Sequence, residues 1–214
     1  MKNLALIVDL SSGEYDHCTT AKLWQDFLVS ETGGSWDRDQ ILSLIHPSRD
    51  ELMNAISDTK DSNYAFIVIF GKHELVKGEL PWAEDFIVAE DFAVKQREIC
   101  PDSKHTTFLY DSTPPAQHKR SIPQNKVSDL NEWGTALKNA EMGVVTITAP
   151  DAHAPASFSE ELIVSTLKWS KSGNGILTIP QAIELLGAAS SGADSTSLIY
   201  NGGRRRNHFP FAIC

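Results

Sequence analysis

The chain has 214 residues, enough for one domain with a sizeable buried core and too few for a tandem array. Hydrophobic residues make up 41% and charged residues 22%, a balance that excludes a disordered tail or a fibrous rod. Nineteen basic against twenty-eight acidic side chains give a net charge of −9, and the resulting field repels phosphate backbones, so nucleic acid is excluded as an expected partner.

In chain order, Leu4 to Val8 is a continuous apolar run closed by Asp9, which suits a strand covered on both faces of a parallel sheet. It is too short for a secretory signal core of about 7 to 15 residues. Thr20 is placed to cap a helix whose inward face is Ala21, Trp24, Phe27 and Leu28, with Gly33 and Gly34 at its end. A loop carrying Asp37 and Asp39 follows. Ser48 and Glu51 form a Ser-x-x-Glu capping box ahead of Leu52, Ala55 and Ile56, which predicts a second helix. Ala65 to Phe70 is the strongest strand signal and the longest apolar run, far below the roughly 20 residues of a membrane helix. Val76 to Val88 is compatible with a hairpin, Glu90 to Ile99 reads as a short helix, and Thr106 to Tyr110 as another strand.

The stretch from Ser112 to Lys126 holds three prolines and no periodicity, so it is expected to be a long, mobile loop cut early by trypsin at Lys119, Arg120 or Lys126. Ser128 then caps a helix with Leu130, Trp133 and Leu137 inward, and Gly143 to Ala149 is a strand. Ser157 with Glu160 opens a further helix through Trp169, and Thr178 to Leu186 is a shorter one. Ser197 to Tyr200 and Phe209 to Ile213 complete the chain as strand and tail. Strands alternating with helices at this spacing predict an α/β fold, a doubly wound three-layer α-β-α sandwich with a mostly parallel central sheet.

In such sheets chemistry gathers at the carboxyl ends of the strands, which directs attention to Asp9, the Gly71–Glu74 segment, Asp111 to Pro115 and Ala149 to His153. No phosphate-binding glycine loop and no Gly-x-Ser-x-Gly elbow occurs, so no cofactor is expected. Cys18, Cys100 and Cys214 make neither an even disulfide set nor a Cys-x-x-Cys pair, and metal ligands are scattered singly. Reduced thiols, a cytoplasmic location and folding that survives a chelator are the expectations. His73, three residues past the strongest strand, stands where a general base would be useful, with Asp111 and Thr113 past the neighbouring strand. As simpler roles, His73 would be an ordinary loop histidine and Asp111 a turn cap ahead of Pro114. His153 is a further sheet-end residue, and Arg204 to Arg206 reads as a solvated basic loop.

The order of these elements resembles the caspase-like peptidases: caspases, metacaspases, paracaspases and bacterial relatives. His46-Pro-Ser-Arg-Asp-Glu-Leu52 is similar to the capped second helix of that family. Phe70-Gly-Lys-His-Glu74 is similar to the aromatic-Ser-Gly-His-Gly segment that supplies the catalytic histidine, and Leu109-Tyr-Asp-Ser-Thr113 to the Leu-Asp-x-Cys that supplies the nucleophile. Arg204 to Ile213 resembles the basic loop and final strand of bacterial members. The resemblance implies one caspase-like domain over 1–214, with a mobile linker near 112–127 between parts like the large and small subunits. It makes His73 the base and Asp111 the acidic residue of a pocket for a basic P1 side chain, with Glu74 and Asp9 beside the binding crevice.

The departures from that pattern bear on activity. Thr113 stands at the position of the cysteine, and an internal threonine hydroxyl is essentially never ionised at neutral pH. Pro114 pushes it toward an extended backbone, and Glu74 puts a carboxylate where the family has the glycine that lines the oxyanion hole. The resemblance therefore implies a pseudoprotease, a degenerate bacterial-type member acting as a binding or regulatory module. Its partner would be a protein or peptide, an active caspase-like relative among them, or a second copy in a homodimer, with neither nucleic acid nor membrane involved. The alternative is an active endopeptidase cleaving after basic residues with His73 as base.

Overall fold

A computed structural model describes residues 3–11, 16–77, 83–99, 105–116, 122, 130–140, 143–149, 157–189, 199–201 and 209–214. The first half runs β1 (Asn3–Asp9), α1 (Cys18–Val29), a 3-10 turn (Arg38–Gln40), β2 (Ile41–Ile45), α2 (Arg49–Thr59) and β3 (Tyr64–Phe70). Three short strands follow, β4 (Lys72–Lys77), β5 (Ala83–Val88) and β6 (Ala93–Lys95), then α3 (Gln96–Ile99) and β7 (His105–Asp111). The second half holds α4 (Leu130–Lys138), β8 (Gly143–Ala149), α5 (Phe158–Trp169), β9 (Ile176–Thr178), α6 (Ile179–Ala189), β10 (Ile199–Asn201) and β11 (Pro210–Ile213).

Among the described residues the main sheet has the order β10-β8-β7-β3-β1-β2, with β10 antiparallel to β8 and every other neighbour parallel. β3 lies at its middle and is buried along its whole length, as a continuous apolar strand must be when helices cover both faces. One face carries Ile7, Phe66 and Val68 against Trp24, Phe27 and Leu28 of α1, Leu162 and Ile163 of α5 and Phe211 of β11. The other carries Leu6, Ile67 and Phe108 against Leu52 and Ile56 of α2, Ile87 of β5 and Ile99 of α3. The result is the expected three-layer α/β sandwich. Tyr64 ties it together across strands: its hydroxyl lies 2.7 Å from Thr107 Oγ1 and donates to the Pro210 carbonyl at 3.1 Å.

Local differences from the expected elements have local causes. The segment after Asp39 contains β2, an edge strand whose residues are half-buried or exposed and so carry no continuous apolar signal. The hairpin starts at Lys72 rather than Val76, with Lys72 paired to Val88. The expected helix from Glu90 is helical only over Gln96–Ile99, because Ala93 to Lys95 pair with Phe86 to Val88 as a third strand. Ser48 caps α2 as its capping box predicts, accepting from the Glu51 N–H at 3.3 Å while Glu51 accepts back from Ser48. α1 ends at Val29 with Ser30 as its C-cap, so the glycine pair lies in the turn beyond it, where Gly34 has φ +100° and a Cβ would lie 2.3 Å from Trp133 Nε1.

Candidate functional site

Parallel register sets the site. Asp9 pairs with Phe70 and Phe70 with Asp111, so two aspartates flank an aromatic ring in one row at the carboxyl ends of β1, β3 and β7. With strands about 4.8 Å apart, the Cα atoms of the two aspartates stand about 10 Å from one another. Both residues have no exposed surface, and a buried carboxylate is costly unless donors surround it.

Asp111 has four. Oδ1 accepts from the Thr113 N–H at 2.9 Å and from the Thr113 hydroxyl, and Oδ2 accepts from the Ser159 N–H at 3.1 Å and from the Ser159 hydroxyl. Ser159 lies in the first turn of α5. The Phe158 N–H donates to Thr113 Oγ1 at 2.9 Å and the Glu160 N–H to the Ser157 hydroxyl at 3.3 Å, so the first three N–H groups of that helix are all satisfied from its start and from the end of β7. The partial positive charge of a helix N-terminus also favours the carboxylate there. Ser112 donates to the Ala149 carbonyl at 2.9 Å, and Ala116 N–H to Thr20 Oγ1 at 2.8 Å. Thr20 therefore holds the chain after β7 instead of capping α1, whose N-cap residue is His17. The beginning of the expected 112–127 linker is thus bonded to the sheet and to α1, and Ile122 is buried in the core. Lys119, Arg120 and Lys126 lie outside the described residues.

Asp9 is less completely served. Its Oδ1 accepts from the Ser11 N–H at 3.0 Å and from the Ser11 hydroxyl, whereas Oδ2 has no hydrogen-bond partner among the described residues. Between the two aspartates sits a histidine that sequence reasoning did not single out. The His17 ring stacks on Phe70 with centroids 4.9 Å apart and an interplanar angle of 8°, and is 3% exposed. Burial pulls its imidazole below the usual range, and the Asp9, Asp111 and Asp16 carboxylates only partly oppose this. Beside it, Asp16 accepts from the Cys18 N–H at 2.9 Å. Hydrogen bonds from Cys18 lower the Asp16 carboxyl, and the same pairing pushes the Cys18 thiol up. The ligand atoms of Asp9, Asp16 and Cys18 all lie within 4.8 Å of one another, a grouping hidden in sequence because Asp9 is on another element.

Of the expected site residues, Asp111 and Thr113 are brought together and buried, and Asp9 joins them in the row one strand beyond Phe70. His73 pairs with Ile87 in the β4–β5 hairpin; its side chain lies outside the described residues. Glu74 is exposed and paired with Lys72 at 2.7 Å. Cys100, His153 and Arg204 to Arg206 are outside the described residues too. Ser11 has a short-range signal, standing two residues after the strand-ending Asp9 as Thr113 does after Asp111, whereas no local pattern places His17.

The initiator caspase Dronc of Drosophila is similar in structure over 99% of this chain and 82% of its own, with a TM-score of 0.55 and 9% sequence identity. Caspase-1 from Spodoptera frugiperda is similar over 92% of this chain and 79% of its own, with a TM-score of 0.52 and 8% identity. The fold is caspase-like. No protein-family model matches the chain, and no curated protein matches its sequence. In this caspase-like fold no described helix is long and apolar enough to cross a membrane.

Proposed function

We propose that the protein is a catalytically inactive caspase-like module that binds a protein or peptide partner, a pseudoprotease of the cytoplasm. The observation that carries this reading is the state of Thr113, the residue matched to the cysteine nucleophile. It is 3% exposed, its hydroxyl proton is committed to Asp111, and one of its two lone pairs accepts from the Phe158 N–H. A nucleophile has to give its proton to a base and turn a lone pair to the substrate. The carboxylate that holds its proton is itself bonded to the start of α5, and its remaining lone pair is buried, so no substrate reaches it without unmaking the cap of α5. Asp111, spending all four of its hydrogen bonds on Thr113 and Ser159, acts in this reading as the anchor of that cap and not as the floor of an open pocket for a basic side chain. The resemblance also matches Glu74 to the glycine that lines the oxyanion hole, where a carboxylate would oppose turnover.

Fluorogenic peptides with Arg, Lys or Asp at P1 test the reading. The wild type is expected to leave all three uncut, Thr113→Cys to restore little, and Thr113→Cys with Glu74→Gly somewhat more. Efficient cleavage by the wild type after any of the three residues overturns it.

A further inference from the structure

We infer that Asp9, Asp16 and Cys18 form a binding site for a borderline-soft divalent cation of the zinc type, joining the end of β1 to the start of α1. Two independent observations meet there. The first is geometric: one ligand atom from each residue lies within 4.8 Å of the other two. Around a tetrahedral zinc ion, with bonds of about 2.0 to 2.3 Å, ligand atoms stand about 3.3 to 3.8 Å apart. Small side-chain rotations of the exposed Asp16 and Cys18 therefore close the site.

The second is the orphaned oxygen. Asp9 has no exposed surface, and its Oδ2 accepts no hydrogen bond among the described residues while Oδ1 is taken by Ser11. A buried carboxylate oxygen left without a partner is costly, and a cation supplies what it lacks. The ligand chemistry selects the metal class. A thiolate with two carboxylates suits zinc or cobalt, whereas calcium and magnesium take six or more oxygens. The start of α1 contributes about +0.5 of an elementary charge, which opposes a cation, but two carboxylates and a thiolate outweigh it several-fold. A fourth position remains for water.

The full-length protein, reduced and stripped of metal, is titrated with Co2+ and then with Zn2+. One equivalent of Co2+ is expected to produce a thiolate-to-cobalt charge-transfer absorption that Zn2+ displaces. Cys18→Ser should abolish that band, and Cys18→Ser and Asp16→Asn should each weaken Zn2+ binding by about tenfold or more. Because Asp9→Asn also alters a buried network, these two exposed positions carry the decision. Absence of the band at one equivalent, its persistence in Cys18→Ser, or unchanged Zn2+ affinity in Asp16→Asn overturns the inference.

Discussion

Replacing Thr113 with Val keeps the shape and branching of the side chain and deletes its hydroxyl. Two interactions disappear together: the donation to the ionisable Asp111 and the acceptor for the Phe158 N–H. A hydrogen bond to a charged group contributes about 1.5 to 3 kcal/mol, and a buried N–H left without an acceptor costs about 1 to 3 kcal/mol. Ser159 and the Thr113 N–H still hold Asp111, so the combined loss is placed at the lower end of that sum, about 3 kcal/mol. For a chain of this length each kcal/mol moves the melting temperature by about 2 to 4 °C, giving a fall of about 6 to 12 °C. Thr113→Ser retains both hydrogen bonds and loses one methyl group, about 0.8 kcal/mol. Equilibrium unfolding in urea, followed by tryptophan fluorescence, measures both variants, with the midpoint shifting and the slope unchanged. If Thr113→Val lies within about 0.5 kcal/mol of wild type, the size of an ordinary surface substitution, the hydroxyl is not a structural cap and the reasoning fails.

Ser159→Ala removes one donor from Asp111 and is expected to cost about 1.5 to 3 kcal/mol in the same assay. Gly34→Ala forces a left-handed backbone onto alanine, about 1 to 2 kcal/mol before the collision with Trp133 is counted, so a melting temperature equal to wild type would contradict the Gly34 geometry. Tyr64→Phe leaves the Pro210 carbonyl and Thr107 hydroxyl without their shared partner and should lower stability by about 1 to 3 kcal/mol. Glu51 is held below its usual 4.5 by the Ser48 N–H and hydroxyl. A carboxylate with a depressed folded value contributes stability above pH 4.5 and loses it as the pH falls through that folded value. Glu51→Gln should therefore flatten the acid side of the stability profile, and an unchanged profile would show the capping bond to be inert.

Much of the fold was legible because its strands are extreme. Leu4 to Val8 and Ala65 to Phe70 are apolar at every position, which a strand needs only when both faces are covered, and that in turn requires parallel neighbours with crossover helices. α2 was legible from two residues, Ser48 and Glu51. β2 was not, since an edge strand buries one side incompletely, and β6 was not, since its pairing with β5 outweighs the local preference of Glu90 to Lys95 for helix. At the site, Asp9 and Asp111 follow from the rule that chemistry collects at carboxyl ends of parallel strands. His17 does not, because its place over Phe70 depends on where α1 begins, its cap lying three residues ahead of the expected Thr20. Thr20 itself answers to a partner 96 residues away, and Ser159 to Asp111 across 48, separations at which no local pattern speaks.

The central claim, a caspase-like fold without peptidase action, is tested most directly by comparing wild type with His73→Ala on one fluorogenic peptide carrying Arg at P1. The two proteins are expected to give the same background rate. Turnover by the wild type that disappears in His73→Ala would contradict the claim and return Thr113, or another nucleophile within reach of His73, to catalysis.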